Sequence, residues 1–259
     1  MGLSQVRGVL LDIDGVLATS WRALPGAIDT MAWIREHEIP FRLITNTTTH
    51  TRSDLAVTLL DAGFDVEPTE IITAVVATAS YLRHHHPDAR VFVLSDGDGG
   101  GDLEGVELVE EPGEADIIVI GGACDDFSYA TVNLVFRRLS AGASLVGMHR
   151  NMYWKTAGGL ELDAGAYIAG LEAATGTTAV ICGKPAKAYF DAALEPLAVP
   201  ASEALMVGDD IENDVVGAQA AGLTGVLVRT GKFRPADLER GTPDHVIDSI
   251  ADLPGLLGG

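Results

Sequence analysis

The chain has 259 residues, 47% of them hydrophobic, enough to bury a sizeable core as one large domain or two unequal ones. A formal charge of −20 argues against sequence-independent binding to nucleic acid or to an anionic membrane, because both need clustered Lys and Arg. Cys124 and Cys182 lie beside apolar runs and in no C-x-x-C spacing, so they read as free thiols in a reducing compartment. The amino terminus carries no basic, apolar, cleavable leader, and no apolar run approaches the ~20 residues of a spanning helix. The expectation is a cytoplasmic protein with neither a membrane nor a nucleic-acid partner.

In chain order, Val9 to Leu11 read as a strand buried on both faces, and Asp12-Ile13-Asp14-Gly15 follows at its carboxyl end. Acids at i and i+2 of an extended segment share a side, so Asp12 and Asp14 are expected to converge. Two such anions about 4 Å apart repel by roughly 4 kcal/mol at an effective dielectric near 20, and they call for a proton or a cation. An acidic turn closing an ordinary strand would explain Asp12 to Gly15 by themselves. A helix over Ala27 to His37 then leads to a second strand, Pro40 to Ile44, which runs into Thr45-Asn46-Thr47-Thr48-Thr49. Thr51 to Ala62 reads as a helix closed by Gly63. Strand and helix alternate with short links, which implies right-handed parallel crossovers.

The middle third continues with a helix at Ala74 to His84, strands at Arg90 to Leu94 and Asp116 to Gly121, and a helix at Tyr129 to Leu139. A strand at Ser144 to Met148 and a helix at Asp163 to Thr175 complete this second α/β unit. Asp96, Asp98 and Asp102 have no correctly placed Glu and no entering helix for a calcium loop, and read as a surface turn. His84-His85-His86 reads as a solvated helix end. From Ala179 the first style returns: strand Ala179 to Cys182, helix Ala186 to Leu197, strand Ala204 to Val207, helix Asn213 to Ala221, and strands Gly225 to Val228 and His245 to Ile247.

The strand at Ala204 ends in Gly208-Asp209-Asp210-Ile211-Glu212-Asn213-Asp214, a third strand end rich in polar groups. Gly183-Lys184-Pro185 closes another, and Lys184 is one of only four lysines. Together Asp12, Asp14, Asp209, Asp210 and Asp214 would face one lysine, with Thr45 and Asn46 nearby. Such an all-oxygen set suggests Mg²⁺ rather than zinc or copper. Hydroxyl, amides, lysine and Mg²⁺ are what a transferring phosphoryl group needs.

These residues resemble the four motifs of the haloacid dehalogenase superfamily phosphatases: Asp12-Ile13-Asp14-Gly15-Val16, Thr45-Asn46, Lys184, and Gly208-Asp209-Asp210 with Asp214. The long stretch between Thr45 and Lys184 resembles the large cap of class IIA, the NagD-like and 4-nitrophenylphosphatase type. The segments Gly217-Ala218-Gln219 and Arg229-Thr230-Gly231-Lys232-Phe233-Arg234 look closest to the phospholysine phosphohistidine inorganic pyrophosphate phosphatases. The resemblance implies an α/β fold: a Rossmann-like core with a parallel sheet over residues 1–75 and 180–259, plus a large inserted α/β cap domain (C2 type) over 76–179. It implies Asp12 as nucleophile and Asp14 as acid and base. Mg²⁺ would be held by Asp12, Asp209 and the Asp14 carbonyl, with Asp210 and Asp214 supporting from behind. Thr45, Asn46 and Lys184 would hold the phosphoryl oxygens of a phosphorylated small molecule.

In the phospholysine and phosphohistidine group a serine replaces the second acid of the first motif. Asp14 here favours ordinary phosphate esters. The Asn-Pro-Asp segment common in the wider class is replaced by His149-Arg150-Asn151-Met152-Tyr153-Trp154-Lys155, which makes His149, Arg150, Tyr153, Trp154 and Lys155 the candidates for substrate choice. Packing within the cap would equally explain Tyr153 and Trp154. A homodimer through the cap is implied by resemblance. Hydrolysis of P–N bonds or pyrophosphate, a non-catalytic phosphate-ligand-binding regulator and a phosphomutase remain as alternatives. The intact acids weigh against the regulator, and the position of the inserted cap against the mutase.

Overall fold

The structure is a computed structural model that describes residues 6–97, 101–156 and 159–259, and for 154–156 the backbone alone. The chain forms two compact units. One takes the chain up to Thr45, then Arg52–Ile72 and Lys184–Gly259; the other takes Asn46–Thr51 and Thr73–Gly183.

The first unit is built on a six-stranded sheet in the order His245–Ile247, Thr224–Val228, Ala204–Gly208, Gly8–Asp12, Phe41–Thr45, Ile71–Thr73. Gly8–Asp12 pairs in parallel with Ala204–Gly208 on one side and with Phe41–Thr45 on the other. Val9, Leu10 and Leu11 are all fully buried, which is why this strand reads as an unbroken apolar run rather than an alternating one. The chain builds outward from Gly8–Asp12 first towards Ile71–Thr73 and later towards His245–Ile247. The reversal between Gly8–Asp12 and Ala204–Gly208 is a topological switch point, where open α/β sheets bind ligands at the carboxyl ends of their strands. Leu11, Ile34, Leu43, Leu59, Phe64 and Val226 belong to one core on the face covered by helices Ala27–Glu36 and Arg52–Asp61.

The second unit has its own five-stranded parallel sheet, in the order Val180–Ile181, Ser144–Gly147, Ile117–Ile120, Arg90–Leu94, Glu107–Leu108. Ile118, Leu145 and Phe92 pack with Val135 and Leu139 of helix Tyr129–Ser140 and Ile168 of helix Ala164–Thr175. Val91, Ile117 and Val119 pack with Val75 and Leu82 of helix Ala74–His85. Each helix starts on a side-chain cap, from Thr73 to Val76 N–H, Ser128 to Thr131 N–H and Asp163 to Ala164 N–H. An antiparallel hairpin, Tyr153–Thr156 with Gly159–Leu162, pairs Tyr153 opposite Leu162.

The strand Ile71–Thr73, the edge strand Glu107–Leu108, the hairpins Ala18–Thr19/Arg22–Ala23 and Tyr153–Thr156/Gly159–Leu162, and the last helix Leu253–Leu257 are additions to the expected elements. Two to five residues carry too little periodicity to be read from a pattern. The helix expected from Asn213 begins at Ile211, and its first stretch, Ile211–Val216, is π-helical before an α-helical turn at Gly217–Ala221. Of the acidic turn considered for calcium, Asp98 lies outside the described residues. Both cysteines are free thiols. Among the described residues no helix is long and apolar enough to cross a membrane.

Leu11 is fully buried in the central strand, so Leu11→Ala should lower unfolding free energy by about 2–5 kcal/mol in urea titration. A loss below about 1 kcal/mol would contradict the central place given to this strand.

Candidate active site

The carboxyl edge of the first unit's sheet collects polar groups because several strands end there in side chains that cannot enter the apolar interior. Asp12 is the last residue of its strand and is nearly buried; Thr45 ends the neighbouring strand; Asp209 follows Gly208 on the other side. Among the described residues one group of three potential metal-ligating side chains forms, Asp12, Asp209 and Asp214, with a ligand atom of each within 4.8 Å of the others.

Lys184 stands among them. Its Nζ donates to Asp12 Oδ1 at 2.6 Å and to Asp214 Oδ1 at 2.7 Å, and all three side chains are buried. Burial alone would lower the lysine, but Asp12 and Asp214 hold it well above its usual range. The second Asp214 oxygen, Oδ2, accepts the backbone N–H groups of Asp209 at 3.2 Å and Asp210 at 3.0 Å. Both oxygens of Asp214 are therefore committed to holding the lysine and the preceding turn. That double commitment draws the chain into a wide turn, in which Val215 N–H reaches the Asp210 carbonyl five residues back. Such π-turns are rare and concentrate at functional sites.

Asp209 differs. Its Oδ2 accepts Lys232 N–H at 2.7 Å, while its Oδ1 is buried with no hydrogen-bond partner among the described residues. A buried carboxylate oxygen left bare is costly unless a cation meets it. Burial, reinforced by Asp214, pushes Asp209 up to about 6. Burial, opposed by Lys184 and helped by Asp214 and Asp209, pushes Asp12 up to about 8. One lysine does not neutralise three buried acids. A hard divalent ion would complete the site, and the all-oxygen donor set fits Mg²⁺.

Gly15 and Gly231 close over Asp209. Both have positive φ, 80° and 64°, and a Cβ on either would overlap Asp209 Oδ2. Thr230 Oγ1 donates to the Gly15 carbonyl and ties the two loops together.

The remaining expected site residues are placed as follows. Asp14 is exposed, and its loop is closed by Gly15 N–H on the Ala18 carbonyl. Thr45 is buried. Asn46 lies in the segment Asn46–Thr51 of the second unit. Asp210 caps the turn that follows it, accepting from Glu212 N–H, Asn213 N–H and Asn213 Nδ2. Burial would raise Asp210, but these bonds outweigh it and hold it below its usual range. In the second unit His149 is buried, 4.0 Å from Asp163, and Arg150 makes a two-pronged pair with Glu172 at 2.9 and 2.7 Å. Tyr153 is exposed, and the side chains of Trp154 and Lys155 lie outside the described residues.

Two contributors have no place in the expected site: the Thr230–Lys232 loop over Asp209, which the sequence offers only as a point of family resemblance, and Tyr189. The Tyr189 hydroxyl lies at 2.9 Å from Thr45 N and 2.8 Å from Thr45 O. A lone phenol among the buried residues Phe190, Ala193 and Leu194 of helix Lys187–Leu194 was the available signal, since a buried phenol needs a partner.

Gly231→Ala should weaken Mg²⁺ binding about tenfold or more, read by calorimetric titration, because the loop must move off Asp209 to admit a methyl. Unchanged affinity would contradict the packing described.

Comparison with known proteins agrees with this geometry. A family model for haloacid dehalogenase-like hydrolases matches residues 9–108, and a related HAD-hydrolase-like model matches residues 181–253. The chain is 36% identical to the human haloacid dehalogenase-like hydrolase domain-containing protein 2, over 95% of this chain and 96% of that one. It is 34% identical to the rat phospholysine phosphohistidine inorganic pyrophosphate phosphatase, over 98% and 95%. Among solved structures it is similar to a p-nitrophenyl phosphatase from Archaeoglobus fulgidus, at TM-score 0.89, 27% identity and 96% and 98% coverage. It is likewise similar to NagD from E. coli K-12, at TM-score 0.87, 26% identity and 97% and 98% coverage. The chain therefore belongs to the haloacid dehalogenase-like hydrolase family and is a phosphatase of its class IIA.

Proposed function

We propose that this phosphatase hydrolyses phosphate monoesters of small molecules in a Mg²⁺-dependent reaction through an aspartyl-phosphate on Asp12. The observation that carries this reading is the pairing of a buried Asp12, held at 2.6 Å from Lys184, with a buried and unpartnered Asp209 Oδ1. A nucleophilic carboxylate needs to be fixed and partly neutralised before a phosphate dianion approaches, and this arrangement supplies both.

Asp12 and Asp209, with the Asp14 backbone carbonyl, would hold the Mg²⁺. Asp214 fits a supporting role better than a ligand's, because both its oxygens are already engaged. When bound, the ion would neutralise charge on the phosphoryl oxygens and orient them for in-line displacement. Asp12 would attack phosphorus, the bond from phosphorus to the ester oxygen would break, and Asp14 would give its proton to the departing oxygen. Asp14 would then take a proton from a water that attacks the acyl-phosphate at phosphorus, releasing inorganic phosphate and restoring Asp12. Its exposed position suits a group that meets substrate and water in turn. Thr45, Asn46 and Lys184 would hold the non-bridging oxygens.

The second unit would act as the cap that selects substrates, with His149, Arg150, Tyr153, Trp154 and Lys155 as the candidates. Arg150 is bound to Glu172, so it would have to exchange that partner to meet an anion. The hairpin bearing Tyr153 exposes Leu160 and Leu162 as well, which gives the expected pairing of two copies through this unit an apolar face. The name of the 34% identical rat enzyme favours a second reading, hydrolysis of phospholysine, phosphohistidine or pyrophosphate. Asp14 favours the ester.

The pKa shifts give this reading a pH signature. Asp12 and Asp209 are raised above their ordinary carboxylate values, to about 8 and about 6. Without a cation, their stabilising contribution is fully present below the unfolded value near 3.9, declines as pH rises, and is lost through the folded values. Mg²⁺ requires both to be deprotonated. The rise in Tm on adding Mg²⁺ should therefore be larger at pH 8 than at pH 6, and equal rises would contradict the ligand assignment. Asp12→Asn should reduce Mg²⁺-dependent phosphate release from p-nitrophenyl phosphate at least 10³-fold while the protein stays folded. Near-normal turnover would overturn the nucleophile. Faster release from phospholysine or pyrophosphate than from any ester would favour the second reading.

A further inference from the structure

We infer that Tyr189 is a positioning residue for phosphoryl binding, acting through the backbone of Thr45, and this rests on the function proposed above. Tyr189 is fully buried in helix Lys187–Leu194, shortly after Lys184. Its hydroxyl accepts Thr45 N–H at 2.9 Å and lies 2.8 Å from both the Thr45 and the Ile72 carbonyl oxygens. A phenol has one proton, so it donates to one of these carbonyls at a time while accepting from the amide. One oxygen atom thus serves the ends of two neighbouring strands, Phe41–Thr45 and Ile71–Thr73, at the points where the chain leaves the first unit.

Strand ends are where backbone groups lose their sheet partners, and a buried amide without one is costly. At Thr45 the phenol bonds both the amide and the carbonyl, and it does so from the helix that follows Lys184. The strand end at Thr45 and the helix that follows Lys184 are therefore tied to one another inside a single unit. Phenylalanine has the same ring without the oxygen and would keep the edge-on contact with Phe190, at 5.9 Å between ring centroids. The hydroxyl is what distinguishes the position, and hydrogen bonding rather than volume is its contribution. Without it the Thr45 amide and carbonyl lose these hydrogen bonds, and the strand end shifts to replace them. A shift of a fraction of an ångström in a group that holds the transferring phosphoryl lowers turnover far more than it lowers stability.

The test is Tyr189→Phe in the full chain with Mg²⁺, assayed on p-nitrophenyl phosphate and by inhibition with inorganic phosphate. We expect kcat/KM to fall about 10- to 100-fold, phosphate inhibition to weaken in parallel, and Mg²⁺ affinity to stay within about twofold. In a double-mutant cycle with Thr45→Ala, the double variant should lose little more than Thr45→Ala alone. Unchanged kinetics, additive losses, or a lowered Tm with normal kinetics in the folded protein would overturn the proposal. If Tyr189→Phe does not fold, hydrogen exchange on the natural protein decides: Thr45 N–H should be as protected as the central strand, and exchange at the rate of surface loops would overturn it. A natural protein that neither hydrolyses p-nitrophenyl phosphate nor binds phosphate would fail the function proposed above, and the inference with it. Normal hydrolysis with an unaffected Tyr189→Phe would fail the inference alone.

Discussion

One buried lysine set among three buried carboxylates is the constraint on which this site depends. Lys184 reaches Asp12 and Asp214 at 2.6 and 2.7 Å, and Asp209 completes the acidic group with an oxygen that nothing among the described residues satisfies. At separations near 4 Å each like-charged pair contributes repulsion of roughly 4 kcal/mol at an effective dielectric near 20, and a single ammonium cannot offset all of it. Burial first, and then the neighbouring Asp214 and Asp209 against the pull of Lys184, raise Asp12 to about 8, so that a proton or a cation is favoured there. Much local structure follows from that tension. Asp214 gives one oxygen to the lysine and the other to two backbone amides, and the wide turn after Asp210 is the conformation that lets it do so. Gly15 and Gly231 leave room for Asp209 between two loops.

The site is also a consequence of sheet topology. Asp12 ends one strand and Asp209 directly follows the parallel strand beside it, on either side of the switch point, so the fold gathers acids that are far apart in sequence. Family membership and the shared fold account for phosphatase chemistry. On the proposed reading, the choice of molecule hydrolysed rests with side chains of the second unit.

What the sequence revealed, and what it did not, divides by the range of the physical signal. The central strands were legible because a strand buried on both faces leaves an unbroken apolar run, as in Val9 to Leu11, and because each ends abruptly in acids, amides or hydroxyls. Lys184 stood out through the scarcity of lysine. Asp214's two-sided role was not legible, since spacing places a carboxylate but does not say which of its oxygens is already used. Tyr189 looked like any core aromatic, because its partners are the backbone amide and carbonyls of strand ends more than a hundred residues away in sequence. His149 and Arg150 are candidates by their chemistry and by their place in the stretch that replaces Asn-Pro-Asp; their partners Asp163 and Glu172 belong to packing that no local pattern encodes.

The central claim is that the phosphoryl group passes through Asp12, and trapping it there is the most direct test. The protein would be mixed with Mg²⁺ and a substrate in excess, quenched in acid within the turnover time, digested and analysed by mass. The account predicts a phosphorylated peptide containing Asp12 that is absent without Mg²⁺ and absent from Asp12→Asn. Phosphoryl found on another residue, or brisk turnover with no trapped species under any quench, would contradict it.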